Sequence, residues 1–184
     1  MSTATMTQHA AATRDLAVNG LVLGFAGAMW LGWAQASPPT GWALPLSICS
    51  GLGLLVAIAA GVLVWRHRHG DSAMATTVGR RTYYRVVGIE GAVIAVGATV
   101  LGVTGHSAYT AAWVLFIVGA HFLPLGRLFR IQSLMVVGVL SVVVSALAAI
   151  LGLQGTVAPS AIAGGVGGLL LILFGAWSLS RVAR

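Results

Sequence analysis

Glu90 and His121 are the only ionisable side chains set well inside long apolar stretches of this chain, and together they offer the chemistry of a proton or a cation. A carboxylate takes up a proton and an imidazole changes charge near neutral pH. Burying either charge in hydrocarbon costs at least ~2.5 kcal/mol on insertion scales. Two readings follow. In one, the two groups form a proton-titrating or cation-binding pair at the base of a pocket open to the cytoplasm; in the other, they bond to each other and fix two helices. An enzymatic reading ranks below both, because no serine or cysteine nucleophile with a base and no third metal ligand falls at this level. No catalytic residue, no metal and no cofactor are expected.

Depth can be counted along a helix. Glu90 lies five residues beyond Arg85 and His121 six residues before Arg127, so each sits roughly 8 to 9 Å inside the charged boundary at 1.5 Å per residue. Asn19, five residues beyond Arg14, reaches about the same depth. Pro124 has no amide hydrogen and clashes one turn back, which frees the carbonyl of Ala120 beside His121. Asn19, Glu90, His121 and Pro124 are therefore the candidate ligand- or proton-binding residues of a polar layer.

The elements that must position this layer are transmembrane helices. Of 184 residues, 58% are hydrophobic and 7% charged, far below the roughly 25% charge of a soluble domain. Six apolar runs use about two-thirds of the chain and are each long enough to cross ~30 Å of hydrocarbon. They lie near residues 16–36, 43–65, 83–104, 108–126, 131–153 and 160–180. The fold class expected is all-α, a six-helix bundle, with a short cytoplasmic tail over residues 1–15 and one membrane domain over 16–184.

The net charge of +7 comes from ten arginines and no lysine, set against Asp15, Asp71 and Glu90. Arg66, Arg68, Arg80, Arg81 and Arg85 fall between the second and third spans, Arg127 and Arg130 between the fourth and fifth, Arg181 and Arg184 at the end. The three intervening loops carry none. Arginine held on the cytoplasmic side places these loops, Arg14 and both termini inside. Trp30, Trp33, Trp42, Tyr109 and Trp113 fall at outer ends, and Trp65, Tyr83, Tyr84 and Trp177 at inner ends, in agreement. A bacterial cytoplasmic membrane is the expected location, with the lipid bilayer as partner. Nucleic acid is not expected, since the arginines line no aromatic-studded face.

Three smaller features read blandly. Ala34-Gln35-Ala36 could mark a signal-peptidase site, but the preceding span is long and carries two tryptophans, favouring an uncleaved helix. The single cysteine, Cys49, is expected to be a small buried apolar residue. His67 and His69 alternate with Arg66 and Arg68 in a solvated loop rather than a metal site.

Small residues supply the close approach that lipid does not drive. Gly20, Gly24, Ala28 and Gly32 recur at intervals of four, as do Gly53, Ala57 and Gly61; Ser141, Ser145 and Ala149; and Gly164 and Gly168. They serve a compact bundle, a homo-oligomer or docking of another membrane protein. Residues 45–67 also align without gaps onto 159–181 with seven identities, Pro45 with Pro159 and Gly61 with Gly175 among them, the pattern of a parallel repeat.

The run Gly119-Ala120-His121-Phe122-Leu123-Pro124-Leu125-Gly126, followed by Arg127-Leu128-Phe129, resembles the signature of a family of small uncharacterised six-span bacterial membrane proteins. That resemblance implies a six-helix bundle with His121 and Pro124 as signature positions and brings no assigned activity. Size and span number also look like the substrate-binding membrane components of energy-coupling vitamin importers, through a small-residue first helix alone. The leading expectation is a transport-related protein that binds or moves a small solute or ion; the alternative is a non-catalytic partner or assembly protein docking through its glycine faces.

Overall fold

The computed structural model describes residues 11–36, 38 and 40–182. Most of the expected 1–15 tail, part of the loop over 37–40 and Arg184 lie outside the described residues. Six helices are each long and apolar enough to cross a membrane. They are α1 (Thr13–Gln35), α2 (Ala43–Arg66), α3 (Thr77–Val103), α4 (Thr110–Phe129), α5 (Gln132–Leu153) and α6 (Pro159–Val182). No strand occurs among the described residues. The chain is an all-α, multi-pass membrane bundle.

Local chemistry sets the helix ends. Thr76 caps α3, its Oγ1 accepting from the Gly79 amide at 3.0 Å. Gly79 must be glycine there, since a Cβ would fall onto the Ala73 carbonyl oxygen. Beyond α3 and α5, Gly105 and Gly155 turn the chain at φ of 78° and 69°. Pro159 opens α6, where a missing amide hydrogen costs nothing.

α3 begins six residues earlier than hydropathy alone suggests, because Thr76 caps it outside the apolar stretch. Arg80, Arg81 and Arg85 thus ride on its first turns rather than in a loop. All described arginines still gather at one end of the bundle: Arg14 opens α1, Arg66 and Arg68 close α2, Arg127 and Arg130 close α4, and Arg181 closes α6. Arg68 and Arg181 lie over the rings of Trp65 and Trp177 at 5.2 and 5.5 Å.

α1 and α6 form the spine, packed more extensively than any other pair, with α2 on one flank of α1 and α4 and α5 on the far side of α6. Backbones approach closely along the spine. A Cβ on Gly27 would stand 2.7 Å from the Gly168 oxygen, and one on Gly175 would stand 3.0 Å from the Gly24 nitrogen. Gly53 of α2 meets Gly24 from the other side, a Cβ there standing 3.0 Å from its oxygen. Leu23, Phe122, Leu125, Leu134, Val137 and Leu171 fill the core between them. α3 is the outlier: its one extensive helix neighbour is α4, and Gly79 alone of its residues is buried.

The glycine spacing is partly spent as expected and partly not. Gly20, Gly24, Gly53, Gly164 and Gly168 all sit at helix contacts, whereas Gly32 has nothing within 4 Å and Gly61 only a Leu21 methyl at 3.9 Å. The aligned glycines of α2 and α6 have different neighbours. Gly53 meets Gly24 while its counterpart Gly167 meets Leu115, and Gly61 is open while Gly175 is packed.

Candidate functional site

α3 and α4 run antiparallel in one continuous register. At the arginine-rich end Tyr83 meets Phe129 edge to face, with ring centroids 6.2 Å apart. Two turns further in, His121 Nδ1 stands 2.9 Å from Glu90 Oε1. Two turns beyond that, Trp113 lies across Gly97 and donates its indole N–H to the Val93 carbonyl at 3.3 Å. Seven residues separate Tyr83 from Glu90 and eight separate His121 from Phe129, which sets the pair roughly 10 to 12 Å inside the Tyr83–Phe129 level.

The two side chains are mostly buried, at 12% exposure for His121 and 14% for Glu90. Their separation is that of an ion pair, but the carboxylate lies off the direction of a well-formed hydrogen bond, so buried Nδ1 has no aligned partner. They carry opposite charges only while the imidazole is protonated. The ring leans on Phe122 with centroids 4.5 Å apart. Pro124 lies inside α4 one turn from His121 and cannot donate to the Ala120 carbonyl.

Asn19 is engaged elsewhere. Buried on α1, it donates from Nδ2 to Ser178 Oγ of α6 at 2.7 Å, which ties the spine together. The structure therefore joins Glu90 and His121 directly and turns Asn19 to a different interface.

Two cavities lie along the α3–α4 seam, on either side of the pair. At the arginine-rich end a recess of about 340 Å3 is lined by Asp15, Asp71, Ser72, Thr76, Phe129 and Arg130 among others. Further along, past the pair, an aliphatic groove of about 510 Å3 runs along α3 beside Trp113. All three carboxylates of the chain thus lie on this seam or at its foot.

Asp15 is the residue that sequence reasoning missed. Its carboxylate accepts from Ser72 Oγ at 2.6 Å and from the Ala73 amide at 2.8 Å, holding the loop that leads into α3. An acid in the first turn of a helix is ordinary macrodipole chemistry, and nothing in the sequence names the distant loop it grips. Arg130, counted among the topogenic arginines, also ends α4 with a left-handed backbone at φ 57° and lines the recess. Among the described residues no three His, Cys, Asp or Glu side chains gather as a metal site. No protein-family model, curated protein or solved structure matches the chain.

Proposed function

We propose that this membrane protein binds a proton or small cation at the Glu90–His121 pair, as part of a transport-related role, with the arginine-rich end and both termini in the cytoplasm of a bacterium. The observation that carries the reading is the pair itself: an acid and an imidazole 2.9 Å apart in hydrocarbon, with Nδ1 lacking an aligned partner. A purely structural tie has no need of an ionisable pair where lipid penalises charge. α3 supports the reading too, since a helix held mainly by one neighbour can shift with little loss of packing.

The test is Glu90→Gln in proteoliposomes. Loss of pH-dependent flux, or of methylammonium binding, with folding intact is the expected result. A variant that changes only thermal stability leaves the pair a helix tie and removes the reading.

A second reading has one observation in its favour. The outer face of α3 carries Gly88 and Gly91, each with nothing within 4 Å, and no other described helix covers it. A second copy or another membrane protein docking there would make the chain a non-catalytic partner. Most of the other glycine ridges are spent inside the bundle.

A further inference from the structure

We propose that the α3–α4 groove holds the hydrocarbon tail of a single-chain amphiphile whose hydrogen-bond-donating head, in its simplest form an alkylammonium, sits at the Glu90–His121 pair. The proposal rests on the reading of that pair as a ligand site and goes on to name the class of ligand.

The groove begins at Ala92, two residues past Glu90, and follows α3 to Leu101, a length of roughly 14 Å. Val93, Val96 and Val100 line its α3 side and the Trp113 indole closes the other. Gly97 makes that wall possible, because a Cβ there would fall onto the indole ring. The one polar hydrogen on the wall, on Trp113 Nε1, is already given to the Val93 carbonyl. Nothing in this stretch can satisfy a polar ligand, so its occupant is hydrocarbon. No other described helix fills the space, and Val96 and Val100 are 65% and 51% exposed.

Orientation and charge select the molecule. Along the seam the polar pair lies toward the arginine-rich end and the groove lies toward the other. A lipid-dissolved chain in the leaflet on the arginine side has its head and tail in that same order. Glu90 offers two acceptor oxygens to a donor head, whereas a carboxylate or phosphate head would set a second acid beside it. The tail gains only the closer contacts of a fitted wall over those of bulk lipid, so the head carries most of the affinity and these contacts set the preference for chain length.

The experiment compares methylammonium and dodecylammonium binding to the full chain in one lipid composition, for wild type, Val96→Phe, Val139→Phe and Glu90→Gln. Val139 faces lipid on α5, outside the groove, and controls for added bulk. Filling the groove with Val96→Phe removes dispersion contacts with the tail, and the preference for the long chain is expected to fall roughly tenfold, with Val139→Phe unchanged. An equal preference in wild type and Val96→Phe, or an equal fall in both phenylalanine variants, overturns the tail site while Glu90→Gln still abolishing methylammonium binding keeps the pair. If Glu90→Gln alters neither ligand, the pair is no ligand site and both proposals fall. Should Val96→Phe not fold, Val100→Phe fills the same groove one turn along and gives the same comparison.

Discussion

Asn19 of α1 donates its amide hydrogen to Ser178 Oγ of α6 at 2.7 Å, and the Ser178 hydroxyl donates in turn to the Phe174 carbonyl at 3.0 Å. Both residues are buried, so no water stands ready to replace either bond. Ser178→Ala leaves the Asn19 amide unpaired and is expected to cost about 0.6–2 kcal/mol, the range of interhelical hydrogen bonds in membranes. Reversible unfolding in mixed micelles measures that loss. Because Asn19 faces α6, methylammonium binding at Glu90–His121 should be unchanged in this variant.

Two glycines of α1 that look alike in the sequence should behave differently. A Cβ on Gly27 would stand 2.6 Å from Ile172 Cγ1 and 2.7 Å from the Gly168 oxygen, and the second of these is backbone that cannot swing aside. Gly27→Ala is expected to destabilise the protein by about 1–3 kcal/mol, the cost of overpacking. Gly32→Ala, with nothing within 4 Å, should fall within about ±0.5 kcal/mol. Matching losses in the two variants would contradict the α1–α6 packing described above.

That contrast marks how far the fold could be read from sequence. Number, length and order of the helices follow from hydropathy, because any stretch of ~20 apolar residues has few alternatives in lipid. Which face of each helix meets which neighbour does not follow. Intervals of four from Gly20 to Gly32 suggest one ridge, yet each step turns ~40° beyond a full circle, so Gly32 has rotated ~120° away from Gly20. The interface with α6 instead tracks Gly20, Gly27 and Ala34, a seven-residue spacing that stays on one side of the helix. Glu90 and His121 were legible as a pair because two polar groups in hydrocarbon at one depth on consecutive helices have few other partners. Asn19 has the same depth, but depth carries no azimuth, and its side chain points to α6.

Asp15 was illegible for a related reason, its partners lying 57 and 58 residues away. Asp15→Ala frees Ser72 Oγ and the Ala73 amide together. Faster hydrogen exchange at Ala73 is expected, with a stability loss of about 1–3 kcal/mol for the two bonds. Asp15→Asn keeps one acceptor oxygen and should fall between wild type and alanine. If exchange over residues 67–76 does not change in either variant, the carboxylate does not anchor the loop.

The Glu90–His121 pair makes a sharper prediction, because one partner is expensive to leave alone. His121→Leu strands a carboxylate that is 14% exposed, and Glu90 must then pay an insertion penalty on the order of 2.5–3.5 kcal/mol, or take up a proton. Replacing both partners, as Glu90→Leu with His121→Leu, removes the charge and its desolvation cost together. Ion pairs in low-dielectric surroundings commonly behave this way, the double apolar variant recovering stability that the single one loses. The expected order is therefore wild type near the double variant, with His121→Leu below both by about 1–3 kcal/mol. Unfolding these three proteins and the single variant Glu90→Leu in the same micelles gives the coupling directly. Additive losses would mean that the 2.9 Å approach contributes no interaction, and that each side chain is solvated separately through the recess or the lipid interface.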